Sequence, residues 1–255
     1  MNSTRVPTPE AAARRSKARL REMADPVWAA GARRYFKKYD AVSVFGVRAP
    51  DVRALARELY REVKGSWHTD EATDFCELLA RDRRLEAKLV GVLLLGRYRR
   101  DFPRPLLGRA RRWIAAGHYD CWAAVDALAP EVLTPLVALY PDMGPQVAGW
   151  TRARNMWVRR AAAVTFVPLA RHGERLDLAY EVAEGLLDDR EDLIHKATGW
   201  LLREAGKTDP ARLERFLLRW GPRTPRTALR YAVERFPERR RRQLLAETRA
   251  RQAGR

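Results

Sequence analysis

Soft and nitrogen metal ligands are scarce in this 255-residue chain: two cysteines, Cys76 and Cys121, stand in no paired motif, and four histidines (His68, His118, His172, His195) are scattered. That excludes a disulfide framework, gives no zinc-type spacing and fits a reducing cytoplasm, so neither a metal nor a cofactor is expected. Glycine-rich phosphate loops of the G-x-G-x-x-G or Walker kind are missing, and no Ser or Cys has the context of a nucleophile. The two-residue alternation of a half-buried strand does not occur. No apolar run is read as approaching the ~18 residues of a membrane span. The longest, "LVGVLLLG" at 89–96, reads as a buried helix. The N-terminal residues are basic and polar rather than an apolar leader. Negative charge is also short, with 32 Asp and Glu against 50 Lys and Arg.

The resulting net charge of +18, carried mostly by Arg, points to polyanionic partners, because neutralising phosphates releases their counterions. Almost every segment reads as helix. Thr8-Pro9 and Asp25-Pro26 have the N-cap and first-turn proline of helix starts. Val52, Leu55, Ala56, Leu59 and Val63 recur at helical spacing over 51–63. Breakers such as Gly65-Ser66, Gly117, His172-Gly173, Gly206 and Gly221-Pro222 divide the chain at short intervals. Four stretches align without gaps, with anchors at Leu85, Cys121, Trp157 and Leu193, each 36 residues after the last. Six residues past each anchor stand Gly91, Ala127, Ala163 and Gly199, small enough for two helices to approach closely. The expectation is an all-α, curved α-α solenoid of HEAT-like repeats, one domain over residues 1–255, monomeric and without a membrane segment.

In this register Asp126 aligns with Val90, Ala162 and Thr198. A carboxylate where three repeats carry uncharged residues must be exposed in a groove, paired with a base, or functional, since burying it unpaired is costly. Trp122 lies four residues earlier, hence on the same helix face, and adds a π surface that attracts cations. Read alone, the pair suits a core Trp beside a paired Asp as well as a site for a cationic ligand. Lys88, Arg160 and Lys196 sit three residues past their anchors, and Arg203 and Lys207 continue that patch. Together they suit a phosphate-binding face.

Four motifs in order resemble the AlkD-type alkylpurine DNA glycosylases, a HEAT-like-repeat family of DNA alkylation repair enzymes. "RRYFKKY" with "FGVRAPDVRAL" resembles its N-terminal helices and G-[VI]-x-x-P turn; "CWAAVD" its W-[DA]-x-V-D motif; "NMWVRRAA" its W-[LV]-x-R-x-A motif; "IHKATGWLLREAGKTDP" its K-A-[IT]-G-W-x-L-R-E-x-[AG]-K pattern. The resemblance implies a catalytic role for Asp126, lesion-facing roles for Trp122 and Trp200, and an active-site role for Arg160. It implies DNA contacts for Tyr35, Lys37 and Arg159 besides Lys88, Lys196, Arg203 and Lys207. Cys121 and Ala123 depart from the family, which often has Trp and Asp there. Strict 36-residue phase also sets Arg160 two positions from Asp126, about 200° around an ideal helix.

The chemistry implied is hydrolysis of the N-glycosidic bond of N3- or N7-alkylated purines in duplex DNA, without base flipping. A base already positive is a good leaving group, so one carboxylate beside the oxocarbenium-like sugar can suffice. The competing reading is a non-catalytic HEAT-like scaffold for nucleic acid or protein. It shares the charge and the repeats but gains nothing from an Asp in a phosphate-binding groove.

Overall fold

Helices begin where their capping residues stand. In this computed structural model, which describes residues 6–36 and 42–253, the Thr8 hydroxyl accepts from the Ala11 N–H at 3.3 Å. The Asp25 carboxylate accepts from Val27 and Trp28 at 2.9 and 3.0 Å. The described residues form fifteen α-helices and no strand: α1 (Pro9–Glu22), α2 (Pro26–Ala32), α3 (Ala49–Val63), α4 (Thr69–Ala80), α5 (Leu85–Leu95), α6 (Pro105–Ala115), α7 (Trp122–Leu128), α8 (Thr134–Leu139), α9 (Gly144–Ala148), α10 (Met156–Arg171), α11 (Leu176–Gly185), α12 (Asp192–Ala205), α13 (Pro210–Trp220), α14 (Arg226–Ala232) and α15 (Glu238–Ala253). The apolar face expected over 51–63 is the buried face of α3: Val52, Leu55, Ala56, Leu59 and Val63.

The chain packs as two units, Met1–Leu139 and Tyr140–Arg255. In the first, α3, α5 and α7 lie side by side, backed by α1 and α4. In the second, α10, α12 and α14 form a row backed by α11 and α13. Each unit is thus a stretch of α-solenoid built from paired helices. The row helices start at Ala49, Leu85, Trp122, Met156, Asp192 and Arg226, intervals of 36, 37, 34, 36 and 34 residues. The repeat read in four helices therefore extends one helix further in each direction.

Two of the small residues do bring helices together. A Cβ on Gly91 would stand 3.1 Å from the Cys76 Cα of α4. One on Gly199 would stand 2.6 Å from the Ala228 carbonyl oxygen and 2.5 Å from the Tyr231 Cβ of α14. Cys76 is fully buried; its Sγ lies 3.6 Å from the Tyr119 Oη, and burial pushes the thiol up to about 12. Cys121 is buried as well.

The loop before α3 is fixed by one side chain that sequence reading did not single out. Glu86, in the first turn of α5 and 4% exposed, accepts three consecutive amides: Phe45 at 3.0, Gly46 at 2.8 and Val47 at 3.1 Å. Gly46 has φ +88°, a conformation only glycine adopts cheaply, and a Cβ there would run into the Asp25 carbonyl.

Between α7 and α8 the helix widens into a π turn, Ala129–Leu133, where the Thr134 N–H reaches back to the Ala129 carbonyl. Pro130 has no N–H to offer the Asp126 carbonyl, and Pro135 none to offer that of Glu131, so the α ladder is broken at both points. Trp122–Leu139 nevertheless runs as 18 helical residues of mean hydropathy 1.4, half of that stretch buried. The expectation that no apolar run comes near membrane-span length is thus corrected. Periodicity missed it because Asp126, Glu131 and two prolines interrupt the run.

Glu86→Ala should strip three amides of their acceptor and cost at least about 3 kcal/mol, on the scale of buried donors left unmade. Urea unfolding checks this, and a loss below about 1 kcal/mol would mean water replaces the carboxylate. Gly199→Val should cost about 2–3 kcal/mol by forcing α12 and α14 apart, measured the same way.

Candidate active site

Trp122 opens α7 immediately after the N-cap Cys121 and is half-buried. Phe36 stacks on its indole, with ring centroids 5.5 Å apart and planes 27° from parallel. Phe36 lies inside the quoted "RRYFKKY" motif but carried no assigned role; only the fold brings it to Trp122, 86 residues ahead in sequence. Asp126 follows Trp122 by one turn and is also half-buried. Its register equivalents Val90, Ala162 and Thr198 are all buried. By chain register alone, the carboxylate falls where three other helices bury an uncharged residue.

The helix starts resolve the phase conflict between Asp126 and Arg160. Against the 36-residue anchors, α7 starts one residue late (Trp122 after Cys121) and α10 one residue early (Met156 before Trp157). Counted from the first helical residue, Asp126 and Arg160 are both fifth in their helices. The fifth residues of the row are Arg53, Leu89, Asp126, Arg160, Lys196 and Arg230, among which Asp126 is the one anion.

In the second unit, Arg160 is 5% exposed and donates from Nη1 to the Leu193 carbonyl of α12 at 2.6 Å, which fixes the direction of its fork. Trp200 is half-buried on α12. Lys196, Trp200 and Arg203 share one face of α12 at spacings of four and seven residues, and Lys207 follows in the turn after the helix. That face is not a row of unopposed cations. Lys196 pairs with Asp192 at 3.0 Å. Lys207 and Arg171 bond Glu204 at 2.5 and 2.8 Å, and Arg203 lies between Glu204 and Glu234. Burial of the Glu204 carboxyl alone would raise its pKa, but the Lys207 and Arg171 hydrogen bonds outweigh burial and hold it below the ordinary value. Arg159 is locked on Asp189 at 2.5 Å and on the carbonyls of Ala153 and Arg154.

In the first unit, Lys88 points inward rather than toward a groove. It is 6% exposed, donating to the His118 carbonyl and to Asp120 at 3.3 Å. Tyr35 is 78% exposed, while Lys37 lies outside the described residues. Two of these pairings were visible in the sequence: Asp192 with Lys196 and Glu204 with Lys207 stand four and three residues apart.

The family model described as DNA alkylation repair enzyme matches residues 16–236. Among solved structures, one described as a predicted DNA alkylation repair enzyme from Enterococcus faecalis matches with a TM-score of 0.72 at 23% identity, covering 85% of this chain and 98% of that one. At that identity the likeness speaks for the fold. No curated protein matches the sequence.

Glu204 makes acid stability testable. Its folded pKa lies below its ordinary 4.5, so its contribution is fully present above pH 4.5 and lost as pH falls through the folded value. Glu204→Gln should flatten the dependence of the unfolding midpoint on pH below 4.5. An acid limb as steep as wild type would place the titration on other carboxylates.

Proposed function

The chain belongs to the DNA alkylation repair enzyme family, and from that premise we propose that it is a monofunctional DNA glycosylase releasing cationic N3- or N7-alkylated purines from duplex DNA. One observation carries the proposal. A half-buried carboxylate, Asp126, takes the position that the other row helices give to Arg53, Leu89, Arg160, Lys196 and Arg230, one turn from a tryptophan braced by Phe36. A plain phosphate-binding role would be served better by the Arg or Lys that four of those helices carry there.

The reaction explains why one carboxylate is enough. Alkylation leaves the purine positively charged, so it departs as a neutral base without prior protonation. Positive charge then moves to the sugar, and Asp126 stabilises it electrostatically and orients the water that completes hydrolysis. Trp122 offers the cationic nucleotide a π face whose orientation Phe36 sets, and Trp200 is assigned the same role. Arg160 is assigned to a backbone phosphate. With these groups acting on the backbone and sugar side, the lesion stays in the helix, and bulky adducts are tolerated as readily as methyl groups.

The test is direct. Wild-type protein on duplex carrying 7-methylguanine or 3-methyladenine should release free base and leave an abasic site. Asp126→Asn should slow release by roughly two orders of magnitude or more, the scale of other lost electrostatic stabilisers. Its DNA affinity should hold or rise. Trp122→Ala and Trp200→Ala should lose less, and Arg160→Ala should weaken binding and turnover together. Release of no alkylated base of any size by the wild type would replace the enzyme with the non-catalytic scaffold.

A further inference from the structure

Past the C-terminus of α5 the chain winds through a 3₁₀ segment, Gly96–Asp101, that places Arg97, Arg99 and Arg100 within four residues. With Tyr60, Asp101 and Glu131 they line a cavity of about 550 Å³ in the first unit. Elsewhere in the chain arginines that meet carboxylates close on them: Arg109 on Asp74 and Glu77, Arg159 on Asp189, Arg240 on Glu214. At this cavity they do not. Glu131 enters from the π turn, its carboxyl pressed against Gly96 where any side chain would collide with it. Arg99, Arg97 and Arg53 all act electrostatically on it, yet none comes within ion-pair distance. Burial also disfavours the charged form of Glu131, which weakens the interior anion that faces these arginines.

Three exposed guanidinium groups on one short turn, facing a concavity they share with Asp101 and Glu131, outnumber its carboxylates and form the donor set of an oxyanion site. Each is permanently charged and presents paired N–H groups that match two oxygens of a phosphate. The Tyr60 phenol, on the same helix as Arg53, adds a neutral donor at the rim. The structure offers a reason why the turn does not collapse onto Glu131. That carboxyl is held back against the Gly96 backbone, so it attracts the arginines without reaching them.

We propose that this cavity is a phosphate-binding site in which Arg97, Arg99 and Arg100 grip a phosphate group, carried either on a nucleic-acid backbone or by a small phosphate in solution. It is separate from the Asp126 chemistry and stands whether or not the protein is a glycosylase.

The experiment uses the full chain as wild type, as the combined Arg97→Ala, Arg99→Ala, Arg100→Ala variant, and as Glu131→Gln. Two probes are titrated: a short undamaged duplex at several salt concentrations, by fluorescence anisotropy, and pyrophosphate, by calorimetry. If the phosphate belongs to DNA, the triple variant should bind duplex about tenfold more weakly at low salt, with a salt slope shallower by roughly one unit per phosphate released. If it is a small phosphate, duplex binding holds and the heat of pyrophosphate binding disappears. Either result supports the site. Unchanged binding of both probes by a triple variant with wild-type helicity overturns it. Should that variant lose helicity, Glu131→Gln decides, because removing a negative charge from the cavity should tighten at least one probe by about threefold. Unchanged or weaker binding of both then overturns the site.

Discussion

Three interior carboxylates each hold several donors at once. Glu86 takes three consecutive amides, Glu77 takes Arg109, Arg81 and the Trp113 indole, and Glu204 takes Arg171 and Lys207 with Arg203 alongside. The constraint behind this is numerical: 32 acids must position 50 bases. Removing a carboxylate from water is costly, and only multiple charged or amide partners offset that cost. Helix starts, the turn before α3 and the cationic face of α12 are all set by such groups, so a few anions determine where a large positive charge can point.

What the sequence made legible was local or periodic. Thr8 and Asp25 cap their helices because a capping oxygen acts on amides two or three residues away. The buried face of α3 and the close approach at Gly91 and Gly199 follow from spacing alone. What it hid was partnership across the helical pairs. Arg159 finds Asp189 thirty residues on and Arg171 finds Glu204 thirty-three residues on, and Lys88 turns inward to a carbonyl thirty residues away. No periodicity encodes those choices. Exposed-looking cations were therefore read as ligand contacts where the fold uses them to join adjacent repeats. The apparent half-turn between Asp126 and Arg160 had a different origin: anchors were counted along the chain, whereas side-chain direction is set by where each helix begins.

Asp126 sits against this background of shared anions at the edge of an irregular helix. Two prolines within ten residues deny carbonyls their usual donors, and the π turn absorbs the difference. The stretch keeps the apolarity of a core helix while presenting two carboxyl groups, Asp126 and Glu131, at successive irregularities.

The buried cysteines bear on survival rather than on catalysis. The electrophiles that alkylate purines also attack thiolates, and reactivity follows the ionised, accessible fraction. Cys76 is sealed beside Tyr119 with its thiol pushed up to about 12, and Cys121 is closed off under the start of α7. A sulfur nucleophile that cannot be reached does not compete with DNA for a methylating agent. The chain can stay intact in the same chemical exposure that creates the damage its family repairs.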